Sequence, residues 1–392
     1  MVQDDSGHRA VTTRPRILLG VTIDGSLGLM EGLPQYLVDQ GWDVHVVSAP
    51  GPRLDALSSV EGVSTHAIAM VRDPSPFADL KSLIAWIALL RRVNPDVISV
   101  GTPKAGMLGS IAGLLTRVPH RVYHLRGLRL ETETDIQRRI FSAIERLTMA
   151  ASHRVLSVSK SLRQRVIDLG LVNQSKVVVI GAGSSNGVDV SRFQNTGIES
   201  KNTEGLALDL GLVPGVPVVG FVGRLARDKG LDVLVRARRI LAERGIDYQL
   251  LIVGGIDDSS GADRINQLRQ TGRPLIQTGH VSDVSPYYRI MDILCLPTLR
   301  EGFPNVVLEA AAMGVPTVTT SATGAIDSVV DEETGLIAEV ASSHDLADKL
   351  GRLIMDESLR CALGKNARIH VKSNYERRHV WSQLDEFYRG SV

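Results

Sequence analysis

The sequence predicts an α/β protein built from two doubly wound domains. Apolar runs of strand length alternate with helical stretches, which is the pattern of parallel-sheet units. A polar stretch interrupts the alternation once, and it then restarts. The length of 392 residues suffices for two cores at roughly 100–200 residues per domain. Composition narrows the class further. With 43% hydrophobic residues and 44 Lys plus Arg against 43 Asp plus Glu, the chain has the apolar content to collapse, so disorder is excluded. A formal net charge of +1 supplies no global field for a polyanion, which argues against nucleic acid as a partner.

The elements follow in order. Residues 1–15 read as a disordered tail, with Asp4, Asp5, His8 and Arg9 where an export signal needs an apolar core. Strands are expected at 16–22, 43–49, 96–101, 121–127, 154–159 and 176–181, with helices at 33–40, 81–93, 104–116 and 136–151 between them. Six strands make one sheet and a first domain spanning 16–190. The loop GAGSSNG at 181–187 has the wrong glycine spacing for a dinucleotide fingerprint and reads as a hinge or acceptor-side loop. The polar stretch 194–204 marks the boundary. A second domain, 191–375, repeats the pattern with strands at 216–223, 248–255, 274–280, 292–298, 316–320 and 335–339, then a helix at 342–355. A last helix, 376–390, carries Trp381, Leu384 and Phe387 at helical spacing and is expected to pack back on the first domain. Ligands of such folds sit beyond the carboxyl ends of parallel strands, so two such domains are expected to face a central cleft.

Chemistry concentrates in residues 298–316, TLREGFPNVVLEAAAMGVP. A strand ends at Pro297, Glu301 and Gly302 occupy the loop, Pro304 stands at the first helical position and Gly314 at the stop. The amino end of that helix offers free N–H groups and a positive dipole end to a phosphate, and Gly302 permits close backbone approach. Glu301 would reach toward whatever is bonded to the phosphate. Glu309, in the apolar run VVLEAAAMG, would point toward the other end of the ligand, where a carboxylate can accept from two adjacent hydroxyls, as in a ribose.

Glu301 and Glu309, seven residues intervening, together resemble the E-x7-E motif of retaining glycosyltransferases of the GT-B architecture, family 4. GRLARDKGLDVLVRA at 223–237 resembles the same family's strand-to-helix loop. The resemblance implies that Arg224 and Lys229 neutralise the leaving nucleoside diphosphate. It further implies that Glu301 contacts the donor sugar, Glu309 the ribose, and the backbone of Gly302, Phe303 and Asn305, next to Pro304, the phosphates. No DxD motif is present, so a metal-independent transfer without cofactor is expected, with a UDP-sugar as co-substrate. In the first domain, Gly25 and Gly28 of IDGSLGLMEGLP resemble the family's donor-phosphate loop, although the usual paired glycines are missing. Beside them Asp24 stands in a suggestive place, and a plain turn is the other reading.

The run YHLRGLRLETE departs from the histidine that many members place after this strand. RGLR resembles a subgroup that builds capsule, exopolysaccharide and lipid-linked oligosaccharides. That resemblance assigns Arg126 and Arg129 to a diphosphate acceptor or to developing charge. Alternation aims His124 to the face of Arg126, as an acceptor residue or as a core histidine.

Between Arg117 and Arg165 stand 11 basic residues against four acidic ones. With the apolar stretches 83–90 and 107–115, this excess suggests a surface that docks on anionic membrane. The run 82–90, flanked by Lys81 and Arg91, is shorter than the roughly 20 residues of a spanning helix. Two cysteines, Cys295 and Cys361, fit a reducing compartment, which places the chain in the cytoplasm, at the inner face of the plasma membrane where it meets lipid. The expected activity moves a sugar, an N-acetylhexosamine, from a UDP-sugar to a lipid-linked or saccharide acceptor. A UDP-sugar 2-epimerase and a non-catalytic nucleotide-sugar-binding scaffold are the alternatives.

Overall fold

The computed structural model describes residues 14–71, 75–193, 205–257 and 259–390. The expected tail before residue 14 and the polar stretch 194–204 lie outside them. Two parallel sheets organise the chain. The first contains β1 (Arg16–Gly20), β2 (Asp43–Ser48), β3 (Val63–Ala67), β4 (Val97–Gly101), β5 (His120–Leu125), β6 (Arg154–Ser157) and β7 (Val177–Val178), in the order β3-β2-β1-β4-β5-β6-β7. The second contains β8 (Val218–Val222), β9 (Gln249–Val253), β10 (Leu275–Gly279), β11 (Ile293–Leu296), β12 (Thr317–Thr320) and β13 (Gly335–Ala338), in the order β10-β9-β8-β11-β12-β13. Every strand pair of the second sheet is parallel. Strand order reverses beside β1 in one sheet and beside β8 in the other, which makes the β1/β4 and β8/β11 junctions the switch points where such sheets take ligands.

Sheet membership ends the first set of strands at Val178, whereas compactness divides the chain elsewhere. One unit runs to Tyr123 and takes in Ala151–His153 and the chain from Phe387, and the other holds His124–Ala150 and Arg154–Glu386. In the second unit β8, β9, β11 and β12 are buried at every residue, as expected of strands covered on both faces. Their side chains form a core with Leu231, Leu234 and Leu241 of the helix Leu231–Glu243 and Leu346, Leu350 and Leu353 of the helix Ser343–Met355. In the first unit Trp86 is fully buried among Leu18, Val100 and Leu108. It fits because Gly20 carries no side chain: a Cβ on Gly20 would lie 2.7 Å from the Trp86 ring. Truncating such a residue costs about 3–5 kcal/mol.

Among the elements that the structure adds to the sequence reading are one strand and two long helices. Strand β3 (VSTHA) mixes Ser64 and His66 with apolar residues and pairs only with β2, at the sheet edge, so its alternation is weak. The helices Ser259–Arg269 and Glu357–Asn374 follow polar sequence, and the second is started by Asp356, whose carboxylate accepts from the Leu359 amide at 2.9 Å. The final helix spans Arg377–Arg389 and turns Trp381, Leu384 and Tyr388 inward, while Phe387 stays half-buried. Tyr388 meets Ser99 at 2.9 Å through its hydroxyl, and the Arg389 guanidinium stacks 5.3 Å from the Trp42 ring. In the segment read as a hinge or acceptor-side loop, Gly183–Gly187 are buried, and the next residue pairs with the chain near Tyr375: the Val188 amide donates to Tyr375 O, and Arg377 N donates to Val188 O.

Candidate active site

The site in the second unit begins with two loops forced together at the β8/β11 switch point. After β8 the chain passes Arg224, makes the short 3-10 turn Arg227–Lys229 and enters the helix Leu231–Glu243 through Gly230, at φ +70°. A Cβ on Gly230 would lie 1.8 Å from the Pro297 carbonyl oxygen, so only glycine lets the β8 loop sit against the end of β11. Asp228 fastens the contact, its carbonyl accepting from Leu299 N at 2.9 Å and from Thr298 Oγ1 at 3.1 Å. Its carboxylate meets Arg300 Nη2 at 3.2 Å. The result places Lys229 Nζ 2.5 Å from Glu301 Oε1, with side chains only 17% and 12% exposed. A charge pair this sheltered is a strong, short hydrogen bond, and removing one partner strands the other.

Arg224, expected beside Lys229 on a diphosphate, instead pairs with Asp257, and both side chains are substantially exposed. Such a surface pair contributes about 0–1 kcal/mol, so little free energy holds Arg224 on Asp257. The sequence places Pro304 at the first helical position. It stands one residue earlier, as the N-cap at ψ 106°, and the helix is Asn305–Ala312. Its stop is as read, with Gly314 at φ +80° just beyond. Asn305 Oδ1 is buried without a partner among the described residues, an acceptor beside the unpaired amides of a helix start. Phe303 is buried, its ring 5.3 Å from Tyr375.

Glu309 lies one helical turn from Asn305. Its Oε2 accepts from the Tyr288 hydroxyl at 2.8 Å, and Phe193 packs edge-on against Tyr288 at 6.1 Å. Desolvation raises the Glu309 pKa, opposed by the Tyr288 hydrogen bond, and burial beside Glu309 pushes the Tyr288 hydroxyl well above its ordinary value. Glu309 and Glu301 therefore occupy different environments, one on a tyrosine and one on a lysine.

The loop after β5 meets the same site. A Cβ on Gly302 would lie 2.0 Å from the Arg126 carbonyl oxygen, and one on Gly324 would lie 2.3 Å from the Gly302 carbonyl oxygen. His124, read as an acceptor residue or a core histidine, packs beside Arg126. It is buried, its Nδ1 is 3.2 Å from Arg126 Nη2, and burial together with that guanidinium holds its pKa well below 6.5. Neutral at pH 7, His124 accepts from Arg126 and aims it. Arg129 is turned to other partners, Glu133 at 3.3 Å and the Phe141 ring at 4.9 Å.

In the first unit the expected glycine loop is a 3-10 helix, Asp24–Met30. Asp24 is structural there: its carboxylate accepts from Leu54 N at 2.8 Å, capping the helix Pro52–Ser58. Gly25 faces open space, while a Cβ on Gly28 would lie 2.6 Å from Arg53 Nη1. Sequence reasoning missed Arg53, which follows Pro52 with no motif around it. It also missed Glu131, Thr132, Ser161, Thr323 and Asp327, polar residues that meet only in the tertiary structure. No group of three or more His, Cys, Asp or Glu side chains able to hold a metal occurs among the described residues.

Comparison with known proteins bears on this geometry. Residues 216–356 match the family model "Glycosyl transferases group 1", and residues 30–183 match "Glycosyl transferase 4-like domain". The chain is 37% identical over 371 residues, 94% of its length and 95% of the relative's, to the capsular polysaccharide biosynthesis glycosyltransferase CapM of Staphylococcus aureus. It is 26% identical over 298 residues, covering 75% and 77% of the two chains, to the N,N'-diacetylbacillosaminyl-diphospho-undecaprenol alpha-1,3-N-acetylgalactosaminyltransferase of Campylobacter jejuni. The solved structure of HepE from Anabaena, in complex with UDP and glucose, superposes with a TM-score of 0.79 at 18% identity, covering 96% of this chain and 100% of that one. The fold is thus GT-B, with two Rossmann-like parallel sheets. By its family models and its full-length likeness to CapM, the chain belongs to the group 1 glycosyl transferases and is a glycosyltransferase.

Proposed function

We propose that the chain is a retaining, metal-independent transferase that moves a hexose or N-acetylhexosamine from a UDP-sugar to a lipid-linked or saccharide acceptor in capsule or related surface-glycan assembly. The observation that carries this is the sheltered Lys229–Glu301 pair at the start of the helix Asn305–Ala312. A leaving diphosphate is an anion, and Lys229, Arg224 and the helix start supply positive charge for it without a bound cation. When phosphate engages Lys229, Glu301 is released to accept from donor hydroxyls. The sugar is then held on the side of the leaving group, and the departing phosphate oxygen takes the proton of an acceptor hydroxyl attacking the same face. The names of CapM and the Campylobacter enzyme support a surface-polysaccharide or polyprenyl-diphosphate acceptor, and the UDP complex of HepE supports the base.

The test is nucleoside diphosphate release from a panel of UDP-, GDP- and ADP-sugars, with and without a bacterial lipid extract and with EDTA throughout. Release from one UDP-sugar that requires lipid supports the whole reading. Release without acceptor, accompanied by isomerised sugar, points to a 2-epimerase. UDP binding with no release on any donor points to a scaffold.

Peripheral membrane contact belongs to the same reading. No helix is long and apolar enough to cross a membrane among the described residues. Two helices, each taken by itself, carry apolar side chains outward. In Asp135–Ala151 the residues Ile136, Ile140, Ala143 and Leu147 form one exposed stripe, flanked by exposed Arg139 and Arg146. In Pro76–Val93, Phe77 (90% exposed), Leu80 and Ile84 do the same beside Lys81, and the nearby Asp79 is neutralised by Lys104 at 2.7 Å. An apolar stripe edged by cations suits an anionic bilayer surface. Flotation with phosphatidylglycerol vesicles, but not with phosphatidylcholine vesicles, is the expected result, and Ile140→Glu with Leu147→Glu should abolish it.

A further inference from the structure

Glu131 stands in the run YHLRGLRLETE without an assigned role, yet it sits at the centre of the contacts that hold Glu301. It ends the short turn Arg129–Glu131 after β5, with its side chain 9% exposed. Its Oε1 accepts from Arg165 Nε at 3.0 Å and from Thr323 Oγ1 at 2.8 Å. The carbonyl of that same Thr323 accepts the Glu301 amide at 2.8 Å. Glu131 is thus a single residue removed from the Glu301 backbone. Its neighbour Thr132 holds the other side, Oγ1 accepting from Arg300 Nε at 2.9 Å, and Arg300 in turn meets Asp228, the residue before Lys229. A further tie lies one residue beyond Thr323, where Gly324 N donates to Ser161 Oγ at 2.7 Å and Ser161 is bonded to Asp327.

A carboxylate kept for stability alone would be expected to satisfy both oxygens. Glu131 Oε2 is instead buried with no partner among the described residues, an arrangement that costs free energy. What the carboxylate does accomplish is geometric: it fixes Thr323, and Thr323 fixes the amide of Glu301. We infer that Glu131 is a positioning residue for the transfer reaction, acting through Thr323 to hold Glu301 in register with Lys229. The inference rests on the reading of Glu301 as the donor-side carboxylate. Glu131 touches no reacting atom in this scheme, so its loss acts on turnover through the placement of Glu301, where a displacement of about 1 Å costs about 100-fold.

The experiment compares Glu131→Ala, Glu131→Gln, Thr323→Val and Thr323→Ser by two readouts. On the donor identified by the panel above, Glu131→Ala and Thr323→Val should each lower kcat by about tenfold to 100-fold while donor KM changes far less. The double variant should be no worse than either single one. Glu131→Gln and Thr323→Ser, which keep the acceptor and the hydroxyl, should restore most of the rate. Independently of activity, amide hydrogen exchange of the segment 298–304 should accelerate in Glu131→Ala and Thr323→Val and stay slow in the conservative variants, with β12 unchanged. A lower Tm with unchanged kcat and unchanged exchange at Glu301 would overturn the inference. A wild-type protein that turns over no donor would defeat the transferase reading, while the exchange measurement still decides whether Glu131 holds Glu301.

Discussion

The backbone of Gly302 lies so close to the carbonyl of Arg126 that an added Cβ would stand 2.0 Å from the oxygen. That contact joins the loop after β5 to the loop bearing Glu301, and neither partner is a flexible side chain able to yield. Gly302→Ala must therefore displace one of the two backbones. The expected outcome is a loss of turnover of about 100-fold or more, seen as nucleoside diphosphate release, with the purified variant still folded by circular dichroism.

Lys229→Met removes the partner of a sheltered carboxylate. Glu301 is left with no opposite charge at 2.5 Å, and a sheltered carboxylate without its partner weakens the folded state. Turnover should fall about 10²- to 10³-fold, the range for losing one preorganised group aimed at developing charge. Lys229→Arg should recover only part of it, because a guanidinium is wider than an ammonium. Steady-state kinetics with the identified donor, together with urea melts, check both expectations.

Glu309 carries the opposite trade. Its folded pKa is raised by desolvation, so between the ordinary carboxylate value of 4.5 and the raised value the folded state binds more protons than the unfolded one. Stability from this group is therefore present at low pH and is lost as pH rises through that window. Glu309→Gln should be as stable as the wild type at pH 7 or more so, and should bind UDP more weakly. Tyr288→Phe should instead lose about 1–3 kcal/mol, since it leaves the carboxylate without its donor. Denaturant titrations at pH 5 and pH 7, paired with UDP calorimetry, separate the two variants.

A pH-sensitive pair lies between β2 and β3. His45 Nδ1 and His66 Nε2 are 2.9 Å apart with rings stacked at 5.2 Å, Arg92 approaches His66 at 3.3 Å, and Asp43, itself bonded to Arg16, approaches His45 at 3.4 Å. Desolvation, then the neighbouring His45 and Arg92, push the His66 pKa down to about 4, and desolvation also lowers that of His45. The unfolded chain binds more protons below pH 6.5, so this stability is present above 6.5 and is lost as pH falls toward about 4. The Tm of the wild type should drop over that window, and His66→Gln should flatten the slope there. Asp43, whose pKa is lowered from 3.8, gives stability that is intact across that range and is lost only at lower pH.

Much of the molecule was legible in the sequence, because strand and helix identity depend on short-range periodicity. The helix expected at 342–355 is Ser343–Met355, and all six strands of the second sheet were found because strands buried on both faces read as continuous apolar runs. Strand β3 was not, since an edge strand with one covered face and polar Ser64 and His66 leaves no such run. At the site, Glu301, Glu309, Arg224 and Lys229 were candidates by residue type, spacing and family resemblance.

Their partners could not be read from the sequence. That Lys229 rather than Arg224 meets Glu301, that Tyr288 holds Glu309, and that Arg126 aims from a neutral buried His124 are all decided by contacts between residues far apart in the chain. Local sequence alone thus determined the parallel α/β class, the two sheets and the chemical inventory, because those follow from side-chain spacing within single elements. The tertiary structure decided which charges are paired and which backbones touch. Those outcomes depend on how close the loops at a strand-order reversal approach one another, and Gly230, Gly302 and Gly324 set that approach by having no side chain.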